Sequence, residues 1–286
     1  MAEHVEIFEV GPRDGLQNEA EFIATRDKVA LIDCLSRAGF QRLEVASFVS
    51  PKWVPQMADG AEVLADITRA EGVSYAALTP NMRGFEAALA AGANEVAVFG
   101  SASEGFSKAN INATIAESLQ RFEPMLAAGK AAGVPVRGYV SCVSECPYDG
   151  PVAPSAVARV SEALFDMGCY EISLGDTIGQ AVPERIDAML RAVMQVVPVQ
   201  QLAGHYHDTA GRALANIEVS LEHGLRVFDA AVAGLGGCPY APGAAGHVAT
   251  EAVHARLQDL GYHTGLREGV LKEASQLAMG MRGDHG

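Results

Sequence analysis

The sequence predicts an α/β fold, a (β/α)8 TIM barrel forming one domain over residues 1–286, with an additional helical stretch at the C-terminal end. Three observations carry this. Eight short strand-like runs recur along the chain, helical periodicity alternates with them, and each unit takes roughly 30 residues, which fits the ~250 residues usual for such a barrel plus a C-terminal addition. A doubly wound open sheet is the alternative architecture. No repeat, low-complexity tract or composition shift marks a linker.

Val5–Val10 reads as the first strand, followed by a polar turn, Gly11-Pro12-Arg13-Asp14-Gly15-Leu16-Gln17-Asn18-Glu19. Thr25 caps a segment with apolar Val29, Ala30, Ile32 and Leu35 that Gly39 ends, a helix by period and punctuation. Arg42–Phe48 is the second strand and Ser74–Leu78 the third, with Pro80 opening a helix to Ala91. Glu95–Phe99 is the fourth, before a long helix over Ile115–Ala132. Val136–Ser141 and the helix Ser155–Met167 form the fifth unit, Tyr170–Leu174 and Pro183–Val196 the sixth. Leu202–Tyr206 precedes a helix near Arg212–His223, Val227–Val232 precedes one over Thr250–Leu260, and Glu268–Met281 closes the chain.

Composition narrows the function. With 49% hydrophobic and 20% charged residues, the 286-residue chain can bury a full core. A net charge of −14 with 6% aromatics argues against a nucleic-acid surface. The longest apolar runs, such as Glu95–Gly100 and Phe228–Leu235, fall far short of the ~18 residues of a membrane span. Met1-Ala2-Glu3-His4 runs straight into a strand with neither a basic segment nor an apolar signal core, which points to the cytoplasm. Five cysteines, an odd and scattered set, point to free thiols, and Cys142 and Cys146 lack the second pair that a zinc finger needs.

In a barrel of this kind chemistry sits on the loops after the strands. Those positions hold Arg13 and Asp14 after strand one, Glu44 in strand two, Asp176 at strand six and His205-Tyr206-His207-Asp208 at strand seven. His205 and His207 alternate by two on an extended chain, so both face one side and with Asp14 can hold one divalent cation. Nitrogen and carboxylate donors suit magnesium, manganese, iron or zinc to different degrees, and the cation would polarise a substrate oxygen. Arg13 beside it can bind the negative oxygen of an enolate. After strand eight, Ala233–His247 packs five glycines, two prolines, Cys238 and His247 into one segment. That pattern reads as a lid carrying a reactive thiol, rather than a surface loop that merely turns tightly. Cys238 could protonate a carbanion as the lid closes.

The stretches Val10–Glu19, Ser47–Met57, Ser173–Gly179 and Val232–Tyr240 together resemble the hydroxymethylglutaryl-CoA lyase family along nearly the whole chain. The resemblance implies metal-dependent retro-Claisen cleavage of 3-hydroxy-3-methylglutaryl-CoA to acetyl-CoA and acetoacetate, with magnesium or manganese. Position by position it implies Asp14, His205 and His207 as metal ligands, Arg13 as the enolate-stabilising arginine and Cys238 as the catalytic loop cysteine. Gln17, Glu44 and Asp176 match supporting positions, and His205 or Asp14 is the implied base. Two positions depart from the family: Ala231 stands where a serine is expected, and Gly246-His247 stands where a Gly-Asn supplies a fourth ligand. Either the imidazole of His247 ligates, leaning the site toward manganese, iron or zinc, or it swings out. Lys52 and Lys108 are candidates to hold the CoA phosphates on an otherwise acidic chain. The resemblance and the extra C-terminal helix also imply a homodimer. Other readings are a related lyase or synthase acting on another 3-hydroxyacyl-CoA or a 2-oxo acid, and a non-catalytic acyl-CoA-binding barrel.

Overall fold

The computed structural model describes residues 2–19, 21–236 and 246–282. Eight strands close into a parallel barrel: β1 (Glu6–Glu9), β2 (Arg42–Ser47), β3 (Ser74–Leu78), β4 (Glu95–Ser101), β5 (Val136–Ser141), β6 (Ile172–Asp176), β7 (Leu202–Tyr206) and β8 (Val227–Ala230). Each pairs with the next, and Glu6 to Glu9 pair with Val227 to Ala230 to complete the ring. That closure rules out the open doubly wound sheet.

Ten helices are described, seven of them following strands as the periodicity predicts and α10 closing the chain as expected. They are α1 (Thr25–Ser36), α2 (Gly60–Asp66), α3 (Met82–Ala90), α4 (Glu104–Ile111), α5 (Ile115–Ala132), α6 (Pro154–Asp166), α7 (Pro183–Val193), α8 (Ala213–Glu222), α9 (Thr250–Asp259) and α10 (Glu268–Met281). No helix among the described residues is long and apolar enough to cross a membrane. Three local features differ from the sequence expectation. The short helices α2 and α4 were hidden by their length, although Ser103 caps α4 by accepting from Phe106 N. The sixth strand starts two residues later than Tyr170, because Tyr170 and Glu171 are drawn into an ion-pair network below the sheet. A small hairpin, Glu145–Cys146 with Gly150–Pro151, interrupts the link from β5 to α6.

Barrel interiors are usually filled by apolar layers. Here the lower part is charged. Arg42 Nε donates to Glu6 Oε1 at 2.6 Å, and its Nη1 and Nη2 reach Glu171 at 3.1 and 3.2 Å. One layer higher, the buried Arg137 gives Nε to Glu171 (2.7 Å) and two nitrogens to Asp229 (2.9 and 2.7 Å), and its guanidinium lies 4.4 Å from the centre of the Phe8 ring. Breaking a buried ion pair from one side strands the other charge, so Arg137→Ala is expected to cost about 3–5 kcal/mol of folding free energy. Urea unfolding measures this; a loss below about 1 kcal/mol, the size of a single neutral hydrogen bond, would mean that the network holds nothing together.

Candidate active site

The turn after β1 sets the first group. Val10 O accepts the N–H of Arg13, Asp14 and Gly15 (3.2, 2.8 and 3.2 Å), coiling Gly11–Gly15 into a single wide turn over the barrel mouth. Gly15 is required there: a Cβ would lie 2.7 Å from Leu235 Cβ, so only glycine lets the turn touch the chain leaving β8.

Arg13 is buried and forked onto Glu44, with Nε and Nη2 at 2.6 and 2.5 Å from Oε2, while Nη1 lies 2.9 Å from Asp14 Oδ1. Burial opposes its charge, but Asp14 and Glu44 outweigh that and raise its pKa. Burial likewise pushes Glu44 up to about 7, against the pull of Arg13. Asp14 feels the same burial, yet Arg13 first, then His247 and His205, hold its carboxyl well below the usual carboxylate range. Gln17 Nε2 also donates to Asp14 Oδ1, at 2.5 Å. Asp14 is thus a fixed anion at the mouth.

Three imidazoles meet around it. His205 Nε2 lies 3.6 Å from Asp14 Oδ2, and His247 Nε2 lies 3.2 Å from the same oxygen without hydrogen-bond alignment. The ring centres of His205 and His207 are 5.6 Å apart, those of His205 and His247 5.0 Å, and those of His207 and His247 4.3 Å. Each histidine offers a ring nitrogen within 4.8 Å of the others. His247 is turned inward and buried, its Nδ1 bonded to Leu235 O at 2.9 Å and its backbone bridged to His207. Burial first, with the neighbouring His247 and His205, depresses the His207 pKa well below its ordinary value, leaving a neutral ring. His207 Nδ1 and His247 Nε2 are buried without hydrogen-bond partners. Buried imidazole nitrogens without hydrogen-bond partners around a fixed carboxylate fit a divalent cation, since an empty arrangement would leave these nitrogens uncompensated.

The remaining candidates are less convergent. Asp176 Oδ2 accepts from Ala181 N at 2.9 Å, so this carboxylate organises the loop after β6; burial raises its pKa to about 6. A raised acid favours the folded state below its unfolded value near 4 and loses that advantage as pH rises through about 6. Asp176→Asn keeps the acceptor for Ala181 and removes the titration. Its melting temperature relative to the parent protein should therefore rise between pH 4.5 and 7.5; a flat difference would contradict the assignment. Lys52 is exposed on the loop after β2 and Lys108 is exposed on α4. Their near neighbours Trp53 and Asn110 line, with Gln17, Phe22 and Gln56, a cleft of about 400 Å3. Cys238 lies outside the described residues.

Sequence reasoning missed Asp229. It accepts from Ser173 Oγ (2.7 Å) and holds His205 Nδ1 at 2.9 Å, and Arg137 and His205 keep its carboxyl well below the usual range despite burial. A charge in the middle of the apolar run Val227–Ala230 was the available signal.

A family model described as HMGL-like matches residues 4–278. The chain belongs to the HMGL-like family. Among other members, the Bos taurus protein named hydroxymethylglutaryl-CoA lyase, mitochondrial, is 59% identical over 270 residues, 94% of this chain and 83% of its own. A Pseudomonas aeruginosa protein named 3-hydroxy-3-isohexenylglutaryl-CoA/hydroxymethylglutaryl-CoA lyase is 56% identical over 276 residues, 96% of this chain and 92% of its own. The crystal structure of the HMG-CoA lyase from Brucella melitensis superimposes with a TM-score of 0.97 at 61% identity, covering 98% of this chain and 99% of that one. Within this HMGL-like chain, the turn Gly11–Gly15 and the His205, His207 and His247 cluster occupy one end of the barrel, where the strands run out into their loops.

Proposed function

We propose that this protein is a hydroxymethylglutaryl-CoA lyase that splits 3-hydroxy-3-methylglutaryl-CoA into acetyl-CoA and acetoacetate. The observation that carries this is the convergence of Arg13, Asp14, His205, His207 and His247 at one barrel mouth, in a chain more than half identical to proteins of that name. Asp14, His207 and His247, with His205 beside them, would hold a divalent cation, magnesium or manganese, with iron or zinc admitted by the extra imidazole. When bound it lends Lewis acidity to the substrate's hydroxyl and carbonyl oxygens.

The chain supplies the rest. Cleavage needs a base for the tertiary hydroxyl proton, a partner for enolate charge and a proton for the carbanion. Asp14 is too acidic to be a good base, which leaves His205 of the two, held by Asp229 at Nδ1 and open at Nε2. One lone pair cannot both ligate and take a proton, so in this step His205 takes the proton and Asp14, His207 and His247 serve as ligands. As the hydroxyl loses its proton, its oxygen becomes the ketone of acetoacetate, the C2–C3 bond breaks, and the electron pair moves into the thioester enolate. Arg13, locked by Glu44, supplies fixed positive charge for the thioester oxygen of that enolate. Cys238 is assigned the proton for C2. Lys52 and Lys108, beside the cleft that Gln17 shares, are assigned the CoA phosphates. A cytoplasmic setting accords with the buried, free Cys34, Cys142, Cys146 and Cys169. A homodimer belongs to the same reading, with Leu277 and Met279 exposed on α10.

The test is an acetyl-CoA release assay on purified protein with magnesium, manganese and zinc, using hydroxymethylglutaryl-CoA (with coupled detection of acetoacetate), an analogue with a longer branched 3-substituent, and a 3-hydroxyacyl-CoA lacking the distal carboxylate. Turnover of the first is expected. Turnover of none with any metal would favour a binding barrel, and turnover of the third alone would favour a related lyase.

A further inference from the structure

Outward-facing positions of barrel strands, where the wall meets the helices, are normally apolar. Glu9 is an exception. It is fully buried at the end of β1, and the charge of Glu251, another anion, acts on it. Three neutral donors from three segments satisfy it: Gly11 N and Val232 N each donate to Oε1 at 2.9 Å, and Thr250 Oγ1 donates to Oε2 at 2.6 Å. Gly11 leaves the space, since a Cβ there would sit 2.5 Å from Glu9 Oε1.

Each donor stands beside one part of the metal-competent cluster. Gly11 begins the turn that carries Asp14. Val232 starts the segment in which Leu235 O accepts from His247 Nδ1. Thr250 lies three residues beyond His247, and its N–H is tied to Ala231 O at 3.1 Å, while Ala231 N donates to Val248 O at 3.2 Å. Gly236 presses directly on His247, where a Cβ would approach Nδ1 to 2.6 Å. Asp14 and His247 come from opposite ends of the chain, yet their facing atoms stand 3.2 Å apart.

We infer that Glu9 is a positioning residue: its carboxylate, shared by the N–H of Gly11, the N–H of Val232 and the hydroxyl of Thr250, sets the separation of Asp14 and His247 and so tunes affinity for the cation. This rests on the reading of Asp14, His207 and His247, with His205 beside them, as a metal site.

The experiment is Mn2+ titration followed by electron paramagnetic resonance, with folding checked by circular dichroism, for the parent protein, Glu9→Gln, Glu9→Ala, Thr250→Val and His207→Ala. Glu9→Gln keeps an acceptor for both N–H groups and should bind Mn2+ within about threefold of the parent. Glu9→Ala should lose about 10- to 100-fold, the range found when outer-shell supports of a metal site are removed. A folded Glu9→Ala protein with parental affinity would overturn the inference. Should Glu9→Ala not fold, Thr250→Val decides: a loss of at least about tenfold, the lower end of that outer-shell effect, supports the role, and affinity within about threefold of the parent refutes it. A parent protein that binds Mn2+ no better than His207→Ala would instead sink the metal site itself, and this inference with it.

Discussion

Replacing Arg13 by methionine is expected to lower turnover of hydroxymethylglutaryl-CoA about a hundred- to a thousandfold with little change in KM, the loss seen when one preorganised oxyanion donor is removed. Arg13 makes no contact that a neutral side chain could copy: three nitrogens are committed to Glu44 and Asp14, and the guanidinium lies 5.8 Å from the centre of the Tyr139 ring. Removing it also strands two buried carboxylates. Arg13→Met should therefore lose stability as well, and adding Glu44→Gln should restore part of the stability without restoring turnover. Arg13→Lys keeps the charge but loses the fork onto Glu44, so turnover should still fall sharply. Equal rates for Arg13→Lys and the parent would show that guanidinium geometry is not used.

The second large effect is expected at His207. Its ring is neutral, and Nδ1 has no hydrogen-bond partner. Removal therefore breaks no hydrogen bond at that nitrogen but takes one donor from the cation, and His207→Ala should reduce turnover at least about a hundredfold, exceeding the loss from an outer-shell residue. Raising manganese should recover part of it. His247→Asn exchanges an imidazole for an amide oxygen, a donor better suited to magnesium, so it should shift metal preference from manganese or zinc toward magnesium rather than abolish activity. Unchanged metal preference would mean that His247 does not ligate. Initial rates across the three metals distinguish these outcomes.

Much of this was legible in the sequence because the barrel repeats one rule. Runs read as strands, such as Val136–Ser141 and Leu202–Tyr206, coincide with strands to the residue, and polar residues at their ends collect at one mouth. Period-two alternation was enough to put His205 and His207 together. Partnership between distant charges was not legible, because it depends on which strands pair. Arg137 meets Asp229 only through the closed ring, and Glu9 meets Thr250 only where the last strand returns to the first. The direction of His247 was likewise open, since it follows a glycine-rich segment whose path no periodicity constrains. Its burial against Asp14 and Leu235 answers that structurally. Cys238, prominent in the sequence, lies outside the described residues, and its role rests on the resemblance.

The most direct measurement follows acetyl-CoA release from hydroxymethylglutaryl-CoA by metal-stripped protein during stepwise return of Mn2+. Activity should be absent after stripping and rise in proportion to occupancy, reaching its limit at one ion per chain, with His207→Ala failing to respond at the same concentrations. Full turnover by the stripped protein, or identical Mn2+ dependence in His207→Ala, would contradict the account.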